Sequence, residues 1–579
     1  MRRLWTYLLR YRWRYAAGGA CLLATATLAM AVPYLLKRAI DAVSHGAPVT
    51  QVASYASWII AVAVVQAVVR TFSRALIFNV GRDVEYDLRN DLFAHLQKLP
   101  LGFYHRQQTG DLMSRLINDV TAVRMLLGPG ILNFVNTPVY YIYGVAIMLT
   151  LDPRLTVAAL LPYPLLLIVV KRYSRRLMEH TLHVQEGLAE MSSRVQENIS
   201  GMHVVRAYAC EDSEAAAFAA VNERFKTQSM ELARVRGQLF PVMKVASSLG
   251  TLVVLWYGGV EVIAGHLSLG DLVAFMGYLN LLAWPTMAMG WMLSILQRGR
   301  AAMIRLEHIF ATEPEIRDAV DAAPLPAIRG RIEFRNVDFT YRTAGNGHQV
   351  LERVSFRVMP GQKLALVGRT GAGKSTIALL LPRLFDVGGG QILLDGHDIR
   401  SLPLAQLRRS IGFVPQDPFL FSTTVRENLA FGVEGADDAA VRRAAAIAGV
   451  AEDIEAFPRG YDTIVGERGI TLSGGQKQRL TLARAVLTDP PFLVLDDALS
   501  SVDTRTERAI LAALQDVMRN RTSLVIAHRI STIQDADLIA VVDDGRIIEL
   551  GDHAALLARD GLYAEMFRQQ RLEEEIAEL

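Results

Sequence analysis

The chain has 579 residues, too many for one hydrophobic core at roughly 100–200 residues per domain. Hydrophobic residues make up 51%, which is high for a soluble enzyme, and charged residues make up 21%, which is too high for a protein lying wholly in lipid. Two cysteines, Cys21 and Cys210, exclude a disulfide scaffold, the apolar content excludes a disordered chain, and a net charge of +3 gives no reason to expect a nucleic-acid partner.

Six apolar stretches, all before Arg300, approach or exceed the length of about 20 residues that crosses a bilayer. Any one of them would also suit a buried helix of a large soluble protein. Six in one half of the chain, separated by polar connections, instead predict six transmembrane helices. In chain order they are 16–36, about 55–78, 130–150, 155–170, 240–264 and 269–296.

The arginines of the N-terminal region predict its side of the membrane. The first fourteen residues carry five arginines and no acid, which favours a cytoplasmic N-terminus. This leader does not resemble a cleaved signal peptide, because its apolar run is too long and no small-residue cleavage pattern follows. Six spans then return the chain to the cytoplasm near Gln297.

This orientation gives short outer loops and two long inner connections, 79–129 and 171–239. Both connections keep apolar residues at three- and four-residue steps, which predicts helices. Their length would project the spans some tens of ångströms into the cytosol. Each is interrupted, near 100–102 and near 200–201, and such extensions suit a membrane part that must touch a soluble motor.

A composition change between Thr312 and Gly330, with three prolines and scattered charges, indicates a linker. The following residues alternate in polarity as a strand does. The predicted organisation is therefore a transmembrane domain at 1–311, a linker at 312–330 and a soluble domain at 331–579.

A glycine-rich loop in the soluble domain matches the phosphate-loop pattern GxxxxGK[ST] in its proper context, between the strand 363–367 and a helix that opens at Thr376. The glycines let backbone N–H groups close around a phosphate. The lysine would neutralise the β- and γ-phosphates of ATP, and the serine would bind Mg²⁺. The predicted nucleotide-binding residues of this stretch are Gly368, Arg369, Thr370, Gly371, Ala372, Gly373, Lys374, Ser375 and Thr376.

Two further motifs follow the phosphate loop. A buried apolar strand ends at Asp496, where a carboxylate would be the second magnesium-side element of a phosphate-loop NTPase. The other motif lies between the phosphate loop and this strand. Its glycines, at a helix start, can approach a phosphate closely while its serine donates a hydrogen bond to the phosphate. Its residues are Leu472, Ser473, Gly474, Gly475 and Gln476.

With this LSGGQ segment, the chain resembles the ATP-binding-cassette (ABC) transporters over essentially its whole length. It looks most like a bacterial, multidrug-type exporter half-transporter with a helical membrane domain fused to an α/β phosphate-loop cassette. The resemblance implies a multi-pass protein of the inner membrane with a cytoplasmic ATPase domain. It also implies a head-to-tail dimer, in which each LSGGQ segment serves the ATP bound by the other subunit.

The resemblance assigns further roles by position. Tyr341 matches the aromatic residue that stacks on adenine, and Gln416 matches the glutamine that senses the γ-phosphate and the Mg²⁺. Asp503 matches the aspartate of the dimer-contact loop, and His528 matches the switch histidine. Coupling contacts with the membrane domain would come from about 103–111 and 201–211.

One departure from the family pattern is informative. Family members that hydrolyse ATP briskly carry Glu after the strand-end Asp, whereas this chain has Asp497. A carboxylate one methylene shorter reaches the attacking water less well, and such misplacement costs about a hundredfold in rate. In similar exporters, Asp here accompanies a degenerate site in a heterodimer whose partner supplies the Glu. The alternative is a homodimer that is merely slow.

Three basic residues are candidates for the wall of a substrate cavity. Lys244 falls within the fifth predicted span, and Arg70 and Arg74 lie towards the inner end of the second. A charge in lipid is costly unless it faces a cavity or a partner. A salt bridge between helices would explain Lys244 equally well.

Together with these motifs, the resemblance implies an exporter that uses ATP and Mg²⁺ to move an amphipathic or hydrophobic compound outward. A lipid or peptide exporter is the nearest alternative. A nucleotide-gated regulator or channel with little turnover is the alternative from another class, and Asp497 is the residue that favours it.

Overall fold

The computed structural model describes residues 2–341, 348–466, 472–519, 521–527, 529 and 533–578. These form two compact units, each of which draws on more than one stretch of the chain. The first combines Met1–Gln97 with Gly110–Thr312, and the second combines Lys98–Thr109 with Glu313–Leu579.

The first unit is built from helices, several of which are far longer than a membrane is thick. Three π-helical turns, at Arg115–Asp119, Leu126–Gly130 and Val254–Gly258, continue the helices on either side. In chain order the α-helices are α1 (Arg2–Arg10), α2 (Arg12–Ser44), α3 (Val49–Leu96), α4 (Leu101–Arg106, part of the second unit), α5 (Thr109–Ser114), α6 (Val120–Met125), α7 (Ile131–Leu151), α8 (Pro153–Leu160), α9 (Tyr163–Ser200), α10 (Met202–Ala207), α11 (Glu211–Val253), α12 (Gly259–Ile263) and α13 (Leu269–Ala311).

Among the described residues, four helices are long and apolar enough to cross a membrane: Arg12–Ser44, Val49–Leu96, Thr109–Leu151 and Leu269–Ala311. They carry the first, second, third and sixth predicted stretches. The fourth stretch is divided between α8 and α9, and the fifth between α11, a π-turn and α12. The helical membrane domain is confirmed, whereas its six spans remain a prediction.

Local chemistry sets where these helices begin and how they pack. Ser268 caps α13, where its hydroxyl accepts from the Asp271 N–H at 3.0 Å. Asp271 also pairs with Lys37 of α2 at 2.5 Å. On α3, the buried residues Ile77 and Val84 belong to a stripe with three- and four-residue spacing that packs against its neighbours.

The two predicted interruptions are present. α3 ends at Leu96 and α4 begins at Leu101, while α9 ends at Ser200 and α10 begins at Met202. The first interruption leads into Lys98–Thr109, which packs as part of the second unit, where the His105 and Phe385 rings lie 6.1 Å apart. The second interruption stays in the first unit.

The described residues of the second unit form two sheets. A four-stranded sheet has the order β2-β1-β4-β5, and a six-stranded sheet has the order β10-β9-β3-β8-β7-β6. In the larger sheet β6, β7, β8, β3 and β9 run parallel, and β10 is antiparallel to β9. The strands are β1 (Ile332–Tyr341), β2 (His348–Val358), β3 (Lys363–Val367), β4 (Gly389–Leu394), β5 (His397–Asp398), β6 (Ile411–Val414), β7 (Phe492–Asp496), β8 (Thr522–Ile526), β9 (Leu538–Asp543) and β10 (Arg546–Gly551).

Helices cover the six-stranded sheet, and all five residues of β7 are buried, as a central parallel strand requires. One apolar core lies between the two sheets and another between the larger sheet and the helices. The helices are α14 (Lys374–Leu380), α15 (Leu404–Arg409), α16 (Val425–Leu429), α17 (Asp438–Ile447), α18 (Ala451–Ala456), α19 (Gly474–Leu487), α20 (Thr504–Met518), α21 (His553–Ala558) and α22 (Leu562–Glu578).

The predicted linker has no helix or strand between 313 and 331 in the second unit. It is nonetheless held to that unit by hydrogen bonds. The Leu325 N–H donates to Gln406 Oε1 at 2.9 Å, and Gln406 Nε2 donates back to the Leu325 carbonyl at 2.6 Å. The Leu404 N–H donates to Asp318 Oδ1 at 2.7 Å.

Candidate nucleotide-binding site

The phosphate-loop residues form the turn between β3 and α14, at the carboxyl end of a buried parallel strand. Gly368, Gly371 and Gly373 have φ values of +147°, +85° and +99°, which glycine adopts without strain. A Cβ on Gly368 would lie 1.9 Å from the Val542 carbonyl oxygen, so that position also excludes a side chain sterically. A Cβ on Gly371 would meet nothing within 4 Å. The loop is therefore open on the face beside Gly371.

Lys374 begins α14 and is 6% exposed. Its ammonium group donates to the carbonyl oxygens of Gly368 and Arg369, each at 2.8 Å. Burial lowers the pKa of Lys374, and the nearby carboxylates of Asp496 and Asp497 partly oppose that shift. The lysine therefore stands inside the loop, ready to exchange carbonyl partners for a phosphate.

Ser375 and Asp496 meet beside the lysine. The Ser375 hydroxyl donates to Asp496 Oδ1 at 3.1 Å, and Asp496 is 3% exposed at the end of β7. A hydroxyl and a carboxylate are the hard oxygen ligands that Mg²⁺ takes together with phosphate oxygens. The donor set and the open face of the loop thus fit a magnesium–nucleotide complex.

Asp497 directly follows Asp496 and takes a left-handed backbone conformation with φ +49°. Its N–H donates to the Ile526 carbonyl of β8 at 2.9 Å. The residue borders a cavity of about 210 Å³ whose lining also includes Glu507 and Arg529, an ion pair. His528, the predicted switch residue, lies outside the described residues.

Tyr341 and Gln416 come from two other strand ends. The Tyr341 hydroxyl and Thr376 Oγ1 are 3.2 Å apart, and the Tyr341 ring stands edge-on to Phe385 with centroids separated by 5.4 Å. Gln416 follows β6 and is exposed. Since β6 runs parallel to β7, with Val414 opposite Leu495, Gln416 leaves the sheet at the same edge as Asp496.

The LSGGQ segment forms the start of α19. Ser473 caps the helix, where its Oγ accepts from the Gln476 N–H at 3.2 Å and its own N–H donates to Gln476 Oε1 at 3.1 Å. Leu472 packs against the apolar core. A Cβ on Gly475 would lie 3.0 Å from the Ser501 carbonyl oxygen, so this turn sits tightly on the loop after β7.

Asp503 caps α20 by accepting from the Thr506 N–H at 2.9 Å. This hydrogen bond lowers the pKa of Asp503. The carboxylate is exposed and stays charged at neutral pH.

The three candidate cavity residues are all exposed in the first unit. Arg70 and Arg74 lie one turn apart on the side of α3 that also carries the buried Ile77. Lys244 lies on α11.

Two residues of this region were missed by sequence reasoning. Gln478 is 3% exposed on α19 and bonds the loop after β7. Asp453 of α18 accepts from Gln476 at 2.9 Å and from Arg479 at 2.7 Å. Gln478 stands two residues after the LSGGQ segment, but the sequence assigned it no role of its own, and Asp453 belongs to no motif of known spacing. Only the folded arrangement shows what the two residues contact.

Comparison with known proteins places this geometry in a family. Residues 15–286 match the model of the ABC transporter transmembrane region, and residues 351–500 match the model described as ABC transporter. The multidrug resistance-like ATP-binding protein MdlA of Escherichia coli is 36% identical over 574 residues, which cover 98% of this chain and 96% of that protein. The chain belongs to the ABC exporter family.

Other relatives agree. A probable multidrug resistance ABC transporter protein of Bacillus subtilis, YheI, is 35% identical over 99% of this exporter and 98% of its own length. An ATP-dependent lipid A-core flippase of Syntrophus aciditrophicus is 34% identical over 98% and 93%. A solved structure of a bacterial Atm1-family ABC exporter with ATP bound matches with a TM-score of 0.81 and 31% identity, covering 96% of this exporter and 98% of that chain.

Proposed function

We propose that the chain is one half of a dimeric exporter that moves amphipathic or hydrophobic, multidrug-type compounds outward across the bacterial inner membrane. The observation that carries the proposal is the fusion of apolar spanning helices with the Lys374–Ser375–Asp496 constellation in one chain. In this proposal the membrane domain (1–311) has six spans, the linker is 312–330, and the N-terminus and the ATPase domain (331–579) are cytoplasmic.

The ATPase domain binds ATP with Mg²⁺ in this proposal. Lys374 exchanges its two carbonyl partners for phosphate oxygens, and the loop N–H groups donate to them. Mg²⁺ when bound neutralises phosphate charge, and Ser375, Asp496 and Gln416 would hold it. Tyr341, placed edge-on to Phe385, offers its ring to adenine.

Hydrolysis at this chain's own site would depend on Asp497, with Gln416 and His528 beside it. The Asp497 carboxylate orients and accepts a proton from the attacking water, but it starts from a shorter side chain than Glu. We therefore assign this chain the weaker site of a heterodimer, in which its Ser473–Gln476 turn and Asp503 serve the partner. A homodimer with full drug-stimulated turnover from this chain alone would contradict the assignment.

Arg70, Arg74 and Lys244 would line the cavity that receives the transported compound. The place of the two arginines on the side of α3 that carries the buried Ile77 supports this role, because a cation turned to lipid is costly. Cationic walls favour neutral or anionic amphiphiles over cationic ones. Export of a lipid is the second candidate function, which the resemblance to a lipid A-core flippase favours.

The test is ATP-dependent accumulation of a fluorescent amphiphile in inside-out vesicles that contain the assembled transporter. Lys374→Ala should reduce nucleotide binding at this chain's site at least about tenfold, because charged hydrogen bonds to phosphate are lost. Lys226→Ala, an exposed lysine of α11, is the matched control. Normal binding in Lys374→Ala would refute the proposal, and conductance without accumulation would identify a nucleotide-gated channel instead.

A further inference from the structure

Gln478 is a buried amide that joins two pieces of the ATPase domain. It lies on α19, one turn after Ser473, and is 3% exposed. Its Nε2 donates to Ser500 Oγ at 2.9 Å and reaches the Asp497 carbonyl oxygen at 3.5 Å. Its Oε1 accepts from the Ser501 N–H at 2.9 Å. Because a backbone N–H can only donate, this last bond fixes which way the amide points.

The loop that Gln478 contacts through these hydrogen bonds is the one that carries Asp497. The Ser500 hydroxyl donates to the Asp497 carbonyl at 3.1 Å, and the Asp497 N–H is held by Ile526 at 2.9 Å. Asp497 itself has a left-handed backbone, which persists in a non-glycine residue only when its surroundings hold it. Gln478 supplies part of that support from outside the loop.

Helix α19, which carries Gln478, has Ser473 as its N-cap. The first turn of α19 also touches the same loop, since a Cβ on Gly475 would lie 3.0 Å from the Ser501 carbonyl. α19 therefore cannot shift along its axis without moving the loop after β7. Ser473, the cap of α19, and Asp497, in the loop after β7, therefore belong to one packed element.

We propose that Gln478 is a positioning residue that couples the two ATP sites of the dimer. The inference rests on the proposed function, in which Ser473 serves the ATP of the partner and Asp497 serves the ATP of this chain. When the partner's ATP site closes on Ser473, α19 is held in place, and Gln478 transmits this constraint to the position of Asp497. An amide is required, because a carboxylate could accept from Ser501 but could not donate to Ser500 or to the Asp497 carbonyl.

The experiment is a mutant cycle on ATP retention by the full transporter in lipid nanodiscs. The quantity is the ATP concentration that half-saturates retention of radiolabelled ATP after free nucleotide is removed. Ser473→Ala and Asp497→Asn are measured singly and together, first with Gln478 present and then with Gln478→Glu. Retention is used because it does not require turnover in the double variants.

The coupling ratio is the half-saturating ATP concentration of the double variant divided by the value expected if the two single effects simply multiplied. With Gln478 present, this ratio for Ser473→Ala and Asp497→Asn should differ from 1 by at least about threefold, as it does for coupled residues. With Gln478→Glu their effects should multiply to within about twofold. General destabilisation lowers retention in every variant but leaves this ratio unchanged, so the ratio separates positioning from folding. Gln478→Asn, which keeps both amide functions on a shorter stem, repeats the cycle should Gln478→Glu not fold.

Gln515→Glu makes the same chemical change on the exposed face of α20 and should leave the coupling ratio as it is. A ratio that Gln478→Glu does not alter would overturn the inference. Retention of ATP by Lys374→Ala as in the unmodified transporter would overturn the proposed function itself. Loss of retention in Lys374→Ala together with an unaltered ratio would overturn only the role of Gln478.

Discussion

At the scale of single residues, position 497 combines a short carboxylate with an unusual backbone. Its φ of +49° lies in a region that Asp enters more readily than most residues. The shorter side chain is therefore also the one that suits the local conformation. A longer carboxylate would improve reach at some expense in stability.

We predict that Asp497→Glu raises ATP turnover at this chain's site several-fold, and up to about a hundredfold if reach alone limits the rate. The melting temperature should fall slightly, because Glu adopts a positive φ less readily than Asp does. Steady-state ATPase assays and thermal unfolding of the full transporter measure the two effects. Equal turnover in both forms would mean that reach does not limit this site.

The glycines of the phosphate loop separate folding from binding. Gly368→Ala drives a methyl group onto the Val542 carbonyl, where the separation would be 1.9 Å, so we expect poor folding of the ATPase domain. Gly371→Ala has room but sits at φ +85°, which costs an L-residue about 1–2 kcal/mol. It should fold and lose nucleotide affinity, because its methyl group fills the open face. Thermal unfolding and ATP binding would tell the two outcomes apart, and intact ATP binding in Gly371→Ala would contradict the assigned phosphate position.

The residues of the phosphate loop and Asp496 could be predicted because their spacing alone encodes the chemistry. Gln478 could not, because its partners Ser500 and Ser501 are more than twenty residues away and only the fold brings them to it. The left-handed backbone of Asp497 was likewise invisible, since Asp is common in every kind of loop.

At the scale of elements, β1 carries a buried carboxylate held by arginines. Hydrogen bonds from Arg335 and from Arg357 of β2 lower the pKa of Glu333 to about 2. A depressed pKa means that the interaction stabilises the fold fully above the ordinary pKa of Glu, near pH 4.5. This contribution declines as the pH falls from 4.5 towards 2.

We therefore predict that Glu333→Gln flattens the acid side of the stability profile. Unfolding of the full chain in detergent, followed from pH 6 down to about pH 3, should show a smaller loss of stability in the variant. Glu452→Gln, an exposed acid of α18, is the control and should leave the profile unchanged. Identical profiles for Glu333→Gln and the unmodified chain would contradict the prediction.

Elements differed in how well the sequence predicted them. The breaks near Gly102 and Gly201 were correctly expected, because proline and glycine interrupt the helical pattern there. The π-turn at Leu126–Gly130 carries such a signal, Pro129 between two glycines, which the sequence prediction did not use, whereas the π-turn at Arg115–Asp119 contains neither proline nor glycine. The fourth predicted span is divided between α8 and α9, where Pro162 stands at the N-cap of α9 and Pro164 lies in its first turn, a position that proline tolerates.

At the scale of the whole molecule, orientation in the membrane is open to a direct test with a native side chain. Cys210 is exposed between α10 and α11, in an inner connection of the proposed topology. A membrane-impermeant maleimide should label it in inside-out vesicles and not in intact cells. Cys210→Ser should remove that signal while leaving Cys21. Labelling of Cys210 from outside intact cells would contradict the proposed topology.

The membership of Lys98–Thr109 in the ATPase unit has a consequence for engineering. Phe103 is 6% exposed there, and Gly102 and His105 lie against Phe385. An ATPase fragment cut at Glu313 would lack this cover and present bare apolar surface to water. Exchange of ATPase domains between exporters should therefore carry a second, short graft from the middle of the membrane half, so that the functional module does not coincide with a continuous stretch of gene.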